Sequence, residues 1–268
     1  MPAHKSDVIT DLTGVRNIKL VLAYDGTAYA GWQRQLVSPT IQQTIEDKIA
    51  VMTGTSVVLH GAGRTDAGVH ALAMVANFYT EADVPELGFQ RGLNSLLPQD
   101  IRVLSATEVA HEFHARYRAV GKSYRYALTI ADTLLPTERL YSAHIFGPFD
   151  TGAVQECLES LVGVHDFSSF ETAGSRDLLD AGRRGAVREI SAAVMRQVPG
   201  DSCRYHIEIA GDGFLRHMVR NIVGTLIEVG RGKRSVAGFM AVLAARDRAA
   251  AGKTAPARGL FLQEVFYK

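Results

Sequence analysis

Cysteine is nearly absent from this chain of 268 residues: there are two, Cys157 and Cys203. They are far apart and show neither a CxxC motif nor Cys/His ligand spacing. A disulfide framework and a zinc site are therefore disfavoured, and a reducing cytoplasm is the default compartment. Net charge is also scarce, because 29 Lys and Arg against 28 Asp and Glu leave a formal charge of +1. Overall charge thus announces no nucleic-acid ligand, and any anionic partner must be met by a local basic surface. No apolar run reaches membrane-spanning length. The opening MPAHKSDVITDLTGVRN lacks an apolar h-region, so residues 1–16 read as a flexible tail rather than a signal peptide. What is present is globular: 47% hydrophobic and 21% charged. The length is near the upper limit of what one core serves, which suits two halves sharing an interface.

Hydrophobic periodicity supplies an element order. IKLVLAYD (18–25) reads as a buried strand. SPTIQQTIEDKIAVMTG reads as a helix with Ser38 as cap, Pro39 in the first position and Gly54 at the end. Ile41, Ile45, Ile49 and Met52 fall on one face of it. SVVLH (56–60) is expected as a short strand, followed by a strand over 72–79, a helix in PELGFQRGLNSLL stopped by Pro98, and a strand in IRVLSATEVA. The order β-α-β-β-α-β is the split βαβ, or ferredoxin-like, pattern. The second half repeats it: a strand over 123–130, a helix over 151–161, a strand pair in AVREISAAVMRQV and CRYHIEIAG, helices over 215–229 and 235–246, and a closing strand in GLFLQEVF. Residues 171–185 and 249–256 read as flexible surface loops. The fold class is α+β: two ferredoxin-like halves, 17–115 and 116–268, whose antiparallel sheets join around a central cleft.

One stretch stands out chemically: GAGRTDAGVH, 61–70. It is not a P-loop, which needs GxxxxGK[ST]. It begins a dinucleotide fingerprint at Gly61 and Gly63 but places Asp66 where the third glycine belongs, and a strand rather than a helix follows. A plain polar turn between antiparallel strands is a second reading, although a simple hairpin needs fewer residues and no Arg64/Asp66 pair. A third reading is a carboxylate nucleophile, attacking an electrophilic carbon to give a covalent intermediate. A buried carboxylate tends to take up a proton unless a cation lies close, and Arg64 is the local candidate. Spacing alone leaves the turn and the nucleophile both open.

The motifs elsewhere change this balance. GRTDAGVHA (63–71) closely resembles the signature of the tRNA pseudouridine synthase A family. YDGTAYAGWQRQ (24–35), the 93–101 run ending in Asp100 and Ile101, FHARY (113–117) and KSYRY (122–126) resemble family segments in family order. So do HDFSSF (165–170), FLRHMVRNIVGTLIEVG (214–230), LAARDR (243–248) and GLFL (259–262). The resemblance spans nearly the whole chain. It implies the pseudouridine synthase fold, two RRM-like halves with a shared sheet. It also implies isomerisation of uridine to pseudouridine at positions 38, 39 or 40 of the tRNA anticodon stem-loop, with no cofactor or metal, by a homodimer.

Residue by residue, the resemblance makes Asp66 the catalytic aspartate, sets Tyr124 over the target base and makes Arg220 the partner of the aspartate, with Arg64 in support. Each has a plainer alternative: Tyr124 is also an ordinary strand aromatic, and Arg220 is a helix arginine among apolar neighbours that must find some partner. Arg34, Arg116, Arg118, Lys122, Arg125, Arg231, Lys233 and Arg234 are candidate tRNA contacts. His111 and His114 stand at metal-compatible spacing but, like His70 and His217, receive no metal assignment. An RNA-binding module without chemistry would carry the RNP1 aromatic pattern, which is missing. The loop 171–185 is longer and richer in Arg and Asp than the family pattern suggests.

Overall fold

The computed structural model describes residues 14–172 and 185–268. Among these residues, ten strands form one open sheet, accompanied by five α-helices and short 3-10 turns. The strands are β1 (Arg16–Tyr24), β2 (His60–Gly61), β3 (His70–Thr80), β4 (Ile101–Val109), β5 (Ala119–Ile130), β6 (Ala143–Ile145), β7 (Gly163–Asp166), β8 (Val187–Gln197), β9 (Arg204–Gly211) and β10 (Leu260–Tyr267). The helices are α1 (Ile41–Thr53), α2 (Glu86–Leu96), α3 (Thr151–Glu159), α4 (Met218–Gly230) and α5 (Val236–Ala245).

The sheet order is β4-β1-β3-β10-β5-β9-β8-β7, with β2 added to β3 and β6 to β5. The ferredoxin-like arrangement therefore occurs twice, as β4-β1-β3-β2 and as β10-β5-β9-β8. The two join where β10 runs parallel to β3, through Phe261 opposite His70 and Leu262 opposite Ala71. This short join brings the loop before β3 close to β5, because β5 is the other neighbour of β10.

Helix α1 forms on the expected face: Ile41, Ile45 and Ile49 are fully buried, each burial contributing about 1.5–3 kcal/mol. Its start differs from expectation. Thr40, not Ser38, caps it by accepting from the Gln43 N–H. Residues 38 and 39 stay outside because the Pro39 carbonyl accepts from the Ala30 N–H at 2.9 Å. Gly54 ends the helix in the left-handed region, as expected.

The expected strand over 56–60 shrinks to His60–Gly61. Helix side chains take its hydrogen bonds instead: the Leu59 N–H donates to Glu46 Oε1 at 2.9 Å, and the Leu59 carbonyl accepts from Gln42 Nε2 at 3.2 Å. Residues 249–256 also differ from the expected flexible loop. They form an ordered strap on α4, with Gly252 N–H donating to Thr225 Oγ1 and Ala255 N–H to the Arg220 carbonyl. Of the expected 171–185 loop, residues 173–184 lie outside the described residues.

Two buried asparagines tie the 110–115 segment under the sheet. Asn77 Nδ2 donates to Asn17 Oδ1, the Ala115 N–H donates to Asn77 Oδ1, and Asn17 Nδ2 donates to the Phe113 carbonyl. Such a satisfied polar network specifies one geometry. It sets residues 114–117 at the rim of the cleft.

Candidate active site

The loop between β2 and β3 takes its shape from the 24–32 segment beneath it. The Trp32 N–H donates to the Thr65 carbonyl at 3.0 Å, and the Gly68 N–H to the Tyr29 carbonyl at 3.3 Å. The Tyr24 hydroxyl lies 2.9 Å from Thr65 Oγ1. Gly31 adopts φ +99, and a Cβ there would sit 2.6 Å from the Thr65 carbonyl oxygen. Only glycine meets both the dihedral and the close approach. Gly68, at φ +74, turns the chain so that the Val69 N–H returns to the Asp66 carbonyl at 3.1 Å. Thr65 is thereby buried and Arg64 exposed, while the Asp66 side chain keeps 27% of its surface.

Asp66 opens into a cleft of about 1130 Å³ lined by this loop, β5, residues 114–117 and the turn leading into α4. Two cationic or polar side chains converge on one of its oxygens. Arg220 Nη1 lies 3.5 Å and His217 Nε2 3.3 Å from Asp66 Oδ2. The guanidinium is aimed by the strap: Arg220 Nε donates to the Ala255 carbonyl at 2.8 Å, while the Ala255 N–H donates to the Arg220 carbonyl at 3.0 Å. Burial pushes the His217 imidazole below its usual pKa. Asp66 opposes that shift, while Arg220, Arg216 and Arg248 add to it. His217 is therefore neutral at pH 7.

Tyr124 reaches the cleft from β5 and is 9% exposed, with the Phe214 ring edge-on at 4.9 Å and 77°. Burial, and then the Asp66 charge, raise its phenol far above the ordinary value. The phenol is thus harder to ionise than an ordinary tyrosine.

The basic candidates separate clearly. Lys122 and Arg116 line the cleft. Lys122 passes beside Gly63, and burial, with Arg116 second, lowers its ammonium pKa. His114 stands at the rim, its ring centroid 4.9 Å from that of His60 and 4.3 Å from that of the exposed Tyr117. Arg64 also lines the cleft, without an ion pair or hydrogen bond among the described residues. Strand alternation turns Arg125 to the face opposite Tyr124; there its guanidinium covers the Phe261 ring at 5.0 Å. Arg34 pairs with Glu46 at 3.1 Å and Arg234 with Glu228 at 3.0 Å. Arg118 donates to the Glu112 carbonyl, while Arg231 and Lys233 are exposed at the end of α4. Among the described residues, no cluster of three or more His, Cys, Asp or Glu has metal-holding geometry.

Sequence reasoning did not single out His217 or Phe214 as site residues. The long apolar pattern of 214–230 absorbs both, and only the loop-to-helix turn brings them to Asp66 and Tyr124.

A family profile described as tRNA pseudouridine synthase matches residues 20–118 and 158–268. The chain is 51% identical over 253 residues to tRNA pseudouridine synthase A 1 of Desulfotalea psychrophila, covering 94% of this chain and 100% of that protein. It is 43% identical over 254 residues to tRNA pseudouridine synthase A of a Geobacter species, covering 94% and 99%. Against the protein of that name from Myxococcus xanthus the identity is 42% over 251 residues, covering 94% and 92%.

Proposed function

Because this chain belongs to the tRNA pseudouridine synthase family, we propose that it isomerises uridine to pseudouridine in the anticodon stem-loop of tRNA, at positions 38, 39 or 40, with Asp66 as the reacting carboxylate. The observation that carries this reading is a single carboxylate held by Arg220 in the cleft, with Tyr124 in the same cleft wall.

The reaction breaks the N1–C1′ bond, rotates the base and joins C5 to C1′. Asp66 adds to C1′, adds to C6, or assists elimination to a glycal; each route needs its carboxylate beside the sugar–base junction. A stacked uridine hides that junction, so the nucleotide must be extruded, at a cost of a few kcal/mol. Packing of the base against Tyr124 recovers part of that, on the scale of about 1–3 kcal/mol for base–aromatic stacking. The Tyr124 hydroxyl is placed to hydrogen-bond the base or to help the C5 proton leave. Arg64 is exposed in the cleft with no hydrogen bond or ion pair among the described residues, and so suits the RNA, filling the gap that the extruded base leaves.

Lys122 and Arg116 lead from Asp66 along the cleft wall and would take phosphates, which position the stem-loop without reading its sequence. Arg34 contributes at the periphery from its pair with Glu46. Arg125, on the other face of β5, would serve only RNA that wraps beyond the cleft. A homodimer placing two basic walls along one groove would compensate for a net charge of only +1. The division into 17–115 and 116–268, and a cytoplasmic location, complete the proposal. Among the described residues no helix is long and apolar enough to cross a membrane.

The test is pseudouridine mapping by carbodiimide adducts on unmodified tRNA transcripts after incubation with the protein. Stops confined to 38–40 are expected. Conversion elsewhere in the tRNA, with none in that arm, would refute the assignment of the stem-loop.

A further inference from the structure

His217 is the residue of this site that local backbone preference least explains. It sits at φ 61, ψ 2, immediately before α4, in the left-handed region. A side chain with a Cβ is disfavoured there by roughly 1–2 kcal/mol. Residues in such strained conformations concentrate at functional sites. The turn brings the ring between two partners: Nε2 is 3.3 Å from Asp66 Oδ2, and Nδ1 is 2.8 Å from Thr172 Oγ1.

The chemistry of these partners fixes the ring. An ionised carboxylate offers only lone pairs, so a lone pair on Nε2 at 3.3 Å from Oδ2 would be repelled and the proton is favoured on Nε2. In a neutral imidazole Nδ1 is then a lone pair, and the Thr172 hydroxyl turns its one proton to it at 2.8 Å in preference to the Arg216 carbonyl at 3.4 Å. Thr172 is itself anchored, since its backbone N–H donates to the Arg216 carbonyl at 3.2 Å. Arg220 approaches the same Asp66 oxygen, Oδ2, at 3.5 Å. Oδ1 has no protein hydrogen bond among the described residues.

We propose that Thr172 and His217 act as a positioning pair: Thr172 selects the Nε2–H tautomer of His217, which with Arg220 holds Oδ2 of Asp66 and leaves Oδ1 facing the ribose. The assignment of the reacting oxygen rests on the proposed isomerase reading; the tautomer assignment does not. The role is distinct from charge neutralisation, which Arg220 already supplies. Asp66, Arg216, Arg220 and Arg248 are the charged groups whose fields act on the ring. The three arginines disfavour a second proton on it, keeping His217 a neutral donor.

Two measurements test the pair. In the full-length protein labelled with ¹⁵N-histidine, and assigned by comparison with His217→Gln, the His217 nitrogen shifts should report the Nε2–H tautomer near neutral pH. In Thr172→Val, which keeps the shape and removes the hydroxyl, they should report a mixture. A Nδ1–H tautomer in the unmodified protein, or no change in Thr172→Val, overturns the proposal, whether or not the protein turns over uridine. In tRNA turnover, Thr172→Val should lower kcat on the order of tenfold to a hundredfold, as misplacement of a reacting group does, with KM and tRNA affinity unchanged. Thr172→Ser should recover most of the loss, and His217→Gln, which retains a donor, should exceed His217→Leu. Equal losses in the Val and Ser variants would show a packing role only and overturn the proposal. Absence of turnover in the unmodified protein would instead remove the isomerase reading, leaving the tautomer result to stand by itself.

Discussion

Arg220→Lys separates the two jobs of the arginine that faces Asp66. The substitution keeps the positive charge but removes the fork that lets Nε donate to the Ala255 carbonyl at 2.8 Å while Nη1 reaches Asp66 at 3.5 Å. A lysine ammonium is a single point on a flexible stem and cannot occupy both positions. The Ala255 carbonyl belongs to a residue that is only 3% exposed. Leaving it without a donor costs about 1–3 kcal/mol. At about 2–4 °C per kcal/mol for chains approaching this size, thermal unfolding should move down by roughly 2–12 °C. If the lysine moves toward Ala255 to spare the fold, it abandons Asp66. Either way the charge is no longer fixed where the reaction needs it, and kcat should fall by roughly one to two orders of magnitude. Differential scanning fluorimetry and single-turnover tritium release from tRNA labelled at uridine C5 read the two effects on one preparation. A variant with unchanged Tm and unchanged turnover would refute the view that the 249–256 strap aims this arginine.

Further predictions follow from the same geometry. Gly31→Ala would force a Cβ against the Thr65 carbonyl at a φ of +99; it should lower both Tm and turnover, and an unaltered Tm would mean that the loop is not held from below. Arg64→Ala removes no hydrogen bond or ion pair among the described residues, so Tm should stay within about 1 °C, as expected for a surface change, while filter-binding affinity for the anticodon stem-loop or turnover falls; a drop in Tm alone would refute the outward reading. Burial pushes His60 and His114 below the ordinary imidazole pKa, with His60 and Arg116 adding to the shift of His114. The unfolded chain then binds more protons than the fold in the window below about pH 6.5, so stability is present above it and lost as pH falls. Denaturant titration of His114→Gln should show a shallower loss between about pH 7 and pH 5 than the unmodified protein; an equal or steeper loss would contradict the burial argument.

Much of the framework was legible in residue patterns because hydrophobic period and burial agree there. The Ile41, Ile45, Ile49 stripe and the strand residues Ile18, Leu20, Leu22 and Tyr24 are both realised in the core. Legibility failed where side chains from distant segments supply the hydrogen bonds. The 56–60 segment looks like a strand but bonds to Glu46 and Gln42 of α1, and Thr40 displaces Ser38 as cap because Pro39 is held by Ala30. The 249–256 segment, with its Gly252 and Pro256, resembles a loop, yet its backbone is recruited by Arg220, Thr225 and Arg248. In the site, motifs pointed to Asp66, Tyr124 and Arg220, whose side chains the fold brings into one cleft. They could not assign a place to His217, since its approach to Asp66 depends on one left-handed residue before α4. Nor could they separate Lys122 and Arg116, which line the cleft, from Arg125, three residues after Lys122 and on the other face of β5.

The central claim is that the carboxylate of Asp66 performs the chemistry. Single-turnover tritium release from C5-labelled tRNA, with binding measured in parallel, tests it through Asp66→Asn. Release should fall to the background of the enzyme-free reaction while tRNA affinity stays close to that of the unmodified protein. Release by the variant at the unmodified rate would contradict it.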